Sequence, residues 1–395
     1  MTQDVPGTPV SPAPDVPGAA ERRHASWLEL FFDLVFVGFV GQLALRLHGD
    51  PSASDFAVFI LLFFPAWWLW IDVLLTTNLF GRRATGITWL VMITVMFAVG
   101  VMAAAVSADF PERAWAFSAG NALARLVMLP VWLFAAKKKS LDWWRPALYS
   151  GLTAVLWLAS IAFPAPGIYI VWVVAMLIEL VLSYAIGRQA SWLRRALDID
   201  HMAERIGLFV VIVFGESIFT LIVAASEHWN LASGATTLFG FIIVALLAWS
   251  FFTYGASLAE RSWSELRARG DIAALRDTAT YLPFFLVTGI VSMAAGLGTA
   301  VSEPDMPLPT GAAVALCGGI ALFYATNGAV SLRYGLPFGR VLAWSAPGVI
   351  GPLVLAAVSG LVTSLILVAM MAGFLAVLVL TVRFRRAHLE AAEAA

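Results

Sequence analysis

In a chain of 395 residues, 61% are hydrophobic and only 12% are charged, with a mean hydropathy of +0.87 and a formal net charge of −1. Such usage excludes a soluble globular domain and marks an integral membrane protein. The single cysteine, Cys317, lies in an apolar run and excludes an intrachain disulfide or a thiolate metal cluster.

Residues 1–25, "MTQDVPGTPVSPAPDVPGAAERRHA", are rich in Pro, Ala and small polar residues and lack the apolar core of a signal peptide. They read as a disordered tail. From residue 27 onward, apolar stretches recur at the length needed to cross a hydrocarbon core, about 20 residues for about 30 Å. Twelve can be placed, at 27–47, 55–80, 87–106, 113–136, 147–163, 167–188, 203–225, 236–258, 278–300, 312–331, 341–359 and 362–382. The expected fold class is all-α, a polytopic membrane helix bundle of about 12 transmembrane helices. The last division is the least marked, because Gly360 is nearly the whole loop there and Pro347 and Pro352 interrupt the helix before it.

Of the 24 Lys and Arg, all but Arg46, Arg113, Arg125 and Arg205 fall in segments on one side of this alternation, the side of the N-terminal tail. Positive charge in short loops marks the cytoplasmic face, so both termini are expected there, in a bacterial cytoplasmic (inner) membrane. The expected organisation is a cytoplasmic tail (1–25), a six-helix membrane half (26–188), a cytoplasmic linker (189–202), a second half (203–383) and a short cytoplasmic tail (384–395). Spans one and seven start from the same side. Glu29 and Glu204 hold similar places near their starts, each followed by an apolar run with Phe, Val and Gly, as two parallel six-helix repeats would have.

Charged side chains at membrane depth cost roughly 2.5 to 3.5 kcal/mol each even on the lenient insertion scale. The chain carries several. Glu29 and Asp33 are four apart on one helical face, with Glu29 at the interface and Asp33 deeper; Asp72 and Glu179 fall at comparable depth on spans two and six. Glu216 is near the middle of span seven, and Arg125 near the middle of span four. Asp33, Asp72 and Glu179 are therefore expected to share an inner-leaflet polar site, with Arg125 neutralising one of the deep carboxylates and the others open to a proton or substrate. The plainer alternative is a fixed strut between Arg125 and Glu216 or Glu179.

At the cytoplasmic edge, Glu29 and the cluster of His201, Glu204 and Arg205 suggest helix capping and a salt bridge between the two segments. One His and one Glu at i,i+3 are too few for a metal site, so none is expected. Gln42 and the aromatic trio Trp67, Trp68 and Trp70 beside Asp72 are candidates for lining a substrate cavity, while the tryptophans of "DWWRP", "ASW" and "RSW" read as interfacial anchors. Gly38, Gly41, Gly207 and Gly215 would let helices approach closely.

Two stretches resemble a known family. "ELFFDLVFV" at 29–37, followed by Gln42, and "HMAERIGLFVVIVFGESI" at 201–218 look like the paired signatures of the bacterial low temperature requirement protein A (LtrA) family, and the resemblance covers about residues 27–382. It implies a multi-pass membrane protein. The family name describes a growth phenotype, and no substrate, cofactor or catalytic residue comes with it. The leading expectation is a secondary transporter of an unknown small molecule or ion, proton-coupled through the deep acids, with the lipid bilayer as its surroundings and no nucleic-acid partner. An intramembrane enzyme acting on a lipid or apolar substrate is one alternative, and a non-catalytic membrane scaffold or stress-tolerance protein is another.

Overall fold

A computed structural model describes residues 24–80, 86–106, 110–138, 144–189 and 197–394. In chain order the helices are α1 (Trp27–Ala44, prolonged by a 3-10 turn at Leu45–Leu47), α2 (Ala53–Phe80), α3 (Gly86–Ala105), α4 (Phe110–Lys138), α5 (Ala147–Ser160), α6 (Gly167–Gln189) and α7 (Ile199–Glu227). They continue with α8 (Leu231–Ser250), α9 (Ser257–Arg269), α10 (Ile272–Ser302), α11 (Thr310–Arg333), α12 (Phe338–Ala357) and α13 (Ser364–Ala394). Among the described residues, 11 helices are long and apolar enough to cross a bilayer; α5 is apolar but shorter, and α9 is a polar connector. The protein is a multi-pass membrane helix bundle, and every expected span falls on a helix.

Helix starts follow local chemistry. Ser26 and Glu29 form a reciprocal capping box at the start of α1, and the Asp198 carboxylate accepts the backbone N–H of His201 at the start of α7. That cap starts α7 at Ile199, earlier than the apolar run alone indicates. The residues 1–23 of the expected N-terminal tail and 190–196 of the expected linker lie outside the described residues.

The centre of the bundle is α10, where 94% of the apolar window is buried, against 22% for the peripheral α12. Small residues make this possible. A methyl group at Gly296 of α10 would lie 2.6 Å from the backbone nitrogen of Leu316 on α11, so these two backbones touch without side chains between them. Pro347 and Pro352 sit inside one continuous α12, and a 3-10 turn at Ser359–Leu361 leads to α13.

Helices α1 and α7 run parallel and in contact along their length. Glu29 meets His201, the Phe36 ring lies tilted against Phe209 at 5.7 Å between centroids, and Gly41 faces Glu216. Helix α2 lies against both, with Trp70 4.5 Å from Phe209. Of the four glycines expected at close helix contacts, Gly38, Gly207 and Gly215 have nothing within 4 Å of where a Cβ would sit, and Gly41 makes room for the Glu216 side chain rather than for a neighbouring backbone. Trp263 of "RSW" is buried rather than interfacial, because α9 folds its apolar side back onto the bundle.

Candidate functional site

Two buried arginines organise the polar interior, and α2 is the wall between them. Successive residues on a helix turn by 100°, so Trp70 and Asp72 point to nearly opposite sides of α2. One side faces α1 and α7; the other faces α4 and α5.

On the first side, Arg205 of α7 is completely buried between two carboxylates of α1. One terminal nitrogen donates to Asp33 Oδ1 at 2.5 Å; the other donates to Thr77 Oγ1 at 2.9 Å and lies 3.6 Å from Glu29 Oε1. Trp70 Nε1 donates to the same Asp33 oxygen at 2.8 Å, and its ring lies 5.9 Å from the guanidinium carbon. Glu29 meanwhile holds the helix start, its Oε2 accepting from Ser26 N and Ser26 Oγ, both at 2.8 Å.

His201 completes this hub, and its tautomer follows from Asn78. The Asn78 amide is oriented by the backbone of Asp198, taking its N–H on Oδ1 at 3.0 Å and donating to its carbonyl at 2.8 Å. The same Asn78 nitrogen faces His201 Nδ1 at 3.1 Å, so Nδ1 is an acceptor and the ring proton sits on Nε2, 3.4 Å from Glu29 Oε2. Glu204 points outward to His24, 3.3 Å away, and takes no part in the buried hub.

The hub is incompletely satisfied. Asp33 Oδ2 and Arg205 Nε are buried with no hydrogen-bond partner among the described residues. Buried charged groups with unused capacity are costly, and they also have a second bonding arrangement within reach.

On the other side of α2, every nitrogen of Arg125 has a partner. Nε and one terminal nitrogen grip Glu179 side-on at 3.0 and 2.7 Å, and the other terminal nitrogen donates to the backbone and side-chain oxygens of Asn121 at 3.2 and 3.0 Å. The Trp157 ring lies 5.6 Å from its guanidinium carbon. Asp72 is close enough to feel this pair but forms no ion pair among the described residues. Its partner is Tyr149, whose hydroxyl donates to Asp72 Oδ1 at 2.7 Å and accepts from Trp68 Nε1 at 2.9 Å. Tyr149 belongs to a π-helical stretch, Ala147–Leu152, that opens α5.

The structure therefore divides the expected shared site. Asp33 belongs to the Arg205 hub, whereas Asp72 and Glu179 lie across α2, so the depth expected from residue count does not bring them together. Glu216 joins neither group; it is half-buried against Gly41 and has no hydrogen-bond or ionic partner among the described residues. Gln42, Trp67, Trp68 and Trp70, the candidates for lining a cavity, lie in two different settings. Gln42 is exposed, and the three tryptophans are buried at 1%, 2% and 0% exposure, with Trp67 and Trp70 stacked at 5.0 Å and Trp67 Nε1 bonded to the Thr280 carbonyl. A cavity of about 50 Å³ lies elsewhere, lined by Gly207, Phe251, Trp263, Thr278, Asn327 and others, with none of the candidate residues among them.

Sequence reasoning missed Thr77, Asn78, Asn121 and Tyr149. The run "TTN" at 76–78, three polar residues closing an apolar span, was the available signal for the first two. Among the described residues no group of three or more His, Cys, Asp and Glu side chains has the arrangement of a metal site.

Comparison with known proteins places this sequence in a family. The family described as Bacterial low temperature requirement A protein (LtrA) matches residues 24–383, which include both arginine clusters. An uncharacterized protein of Rhizobium meliloti (strain 1021) is 28% identical over 318 residues, covering 77% of this chain and 76% of that protein.

Proposed function

The chain belongs to the bacterial low temperature requirement A (LtrA) family, and from that premise we propose that it is a secondary transporter of the bacterial cytoplasmic membrane, with both termini cytoplasmic. The positive charge of its N-terminal-side segments supports that orientation. One observation carries the transport reading: a buried arginine, Arg205, clasped between Glu29 and Asp33 where α1, α2 and α7 meet, with Asp33 Oδ2 and Arg205 Nε left over. Intramembrane charges of this kind mark ion, proton and substrate routes. In this reading the hub is a closed gate. A proton or a polar solute arriving at Asp33 weakens its bond to Arg205 and frees α1 to move against α7, with the two six-helix halves rocking to give access from either side.

The saturated Arg125–Glu179 pair favours a second reading, a membrane scaffold in which buried charges only specify helix packing. Solid-supported-membrane recordings on the reconstituted chain separate the two. Panels of organic anions, amino acids and inorganic cations are expected to include at least one solute that evokes a current, abolished by Asp33→Asn in protein that still elutes as a folded species. Currents of equal size in wild type and Asp33→Asn would sink the proposed gate, and silence across all panels would favour the scaffold.

A further inference from the structure

Beyond the hub, α7 carries a second polar feature that neither arginine serves. Between the two lies a sealed layer: Phe36, Trp70 and Phe209 are all completely buried, with Phe209 at 5.7 Å from Phe36 and 4.5 Å from Trp70. Past this layer Glu216 projects from α7 toward α1, and the site receives it only because residue 41 is glycine. A methyl group there would overlap the Glu216 carboxylate, lying 2.9 Å from Cδ. One turn further along α7 is Thr220, and the ring of His48, in the connection after α1, packs against the same glycine of α10 as Thr220 does. Both rest on the bare face of Gly298: a methyl group at that glycine would lie 3.1 Å from Thr220 Cγ2 and 3.2 Å from His48 Nε2.

None of these three side chains is used up. Glu216 and the Thr220 hydroxyl have no hydrogen-bond or ionic partner among the described residues, and His48 Nε2 is buried without one. The remaining polar groups around His48 are already committed or distant. Asp50 accepts the N–H of Gly311 at 2.7 Å, Arg46 donates to the Val106 carbonyl at 3.1 Å, and Thr299 of α10 accepts from Gly49 N at 2.9 Å. Glu227, at the end of α7, acts on the ring only through its charge.

We propose that Glu216 is a proton-binding carboxyl reached from the end of the bundle where α1 stops, through a seam formed by His48 and Thr220. A proton needs one acceptor and no cage of ligands, which suits a lone carboxylate better than it suits a metal cation with its requirement for several oxygens. The step is a simple transfer. The N–H bond of protonated His48 breaks, the Thr220 hydroxyl accepts that proton and passes its own on, and an O–H bond forms on Glu216, leaving a neutral imidazole and a neutral carboxyl. The aromatic layer keeps the proton from the Arg205 hub except when α1 and α7 move. Its purpose rests on the transporter reading, to which it gives a coupling ion.

The test needs no transported solute, so its failure is distinct from a failure of that reading. The full-length protein in liposomes is treated with dicyclohexylcarbodiimide, an apolar reagent that modifies protonated carboxyls, and labelled peptides are mapped by mass spectrometry. Glu216 should be labelled, with labelling falling about tenfold for each pH unit above its titration midpoint. After a jump to alkaline pH, labelling competence should be lost about a hundredfold more slowly in His48→Phe, which keeps a ring but carries no proton, at the lower end of the scale for the loss of a positioned acid–base group. Thr220→Val should slow it in the same direction. No labelling of Glu216 at any pH, or identical time courses in wild type, His48→Phe and Thr220→Val, would overturn the proposal.

Discussion

Arg125 and Arg205 are both fully buried with an aromatic ring beside each, yet they differ in how fully their hydrogen-bonding capacity is used. Arg125 spends Nε and both terminal nitrogens on Glu179 and Asn121. Arg205 divides two nitrogens among three side chains on two helices and leaves Nε unpartnered, while Asp33 leaves an oxygen unpartnered. A saturated pair has one good arrangement and resists change; an unsaturated one sits at a higher energy and has alternatives. Burial alone therefore says little about which charge works and which one braces.

The sharpest way to break this comparison is at Arg125. Replacing it by Met leaves Glu179 buried and unpaired, with an expected loss of about 3–5 kcal/mol, read as a fall in melting temperature of the purified protein. Replacing Glu179 by Met as well should restore most of that loss, because a strut can be exchanged for packing. If the double variant stays as unstable as the single one, Arg125 has a role beyond bracing.

A smaller stability effect and a larger functional one are expected at the hub. Asp33→Asn keeps an acceptor for Trp70 Nε1 but removes the charge facing Arg205, for an expected loss of about 1.5–3 kcal/mol. Arg205 retains Glu29 and Thr77, so the fold survives while any transport current disappears. Smaller still is Trp70→Phe, which deletes the second donor to Asp33 Oδ1 and should cost about 0.5–1.5 kcal/mol in thermal denaturation. A loss above that range would mean that the indole positions Asp33 as well as bonding to it.

The fold was legible because the bilayer imposes it: apolar length and the placement of Lys and Arg locate the helices with little need for tertiary information. The place of each charge along its helix was legible for the same reason, since it is a count of residues along an axis. Partners were not. Pairing depends on rotation about each helix axis and on which helices are neighbours, and neither is written in apolar length. Asp33 and Asp72 were expected at one depth, but α2 turns Trp70 toward one and Tyr149 reaches the other from α5. The link between the blocks at 29–37 and 201–218 was accessible because spans one and seven start on the same side, although the bond to Asp33 comes from Arg205 and the outward-facing Glu204 contributes nothing to it. Tyr149 gave no signal, because its reach depends on a π-helical stretch that apolar periodicity does not reveal.

The same contrast between used and unused capacity separates two histidines. His201 has both ring nitrogens engaged by Asn78 and Glu29, whereas His48 Nε2 is buried and alone. Burial pushes the His48 imidazole below its ordinary value of 6.5, and the charge of Glu227 offsets only part of that. Because the folded protein resists the proton more than the unfolded chain does, the unfolded chain binds more protons below the ordinary value. The His48 contribution to stability is therefore complete above 6.5 and is lost as pH falls below it through the depressed folded value. Melting temperatures measured from about pH 7.5 to about pH 5 should fall less steeply in His48→Gln than in wild type. Other groups titrate in this range as well, so the difference between the two curves is the measurement, and parallel curves would mean that His48 takes up its proton in the folded bundle as easily as in water.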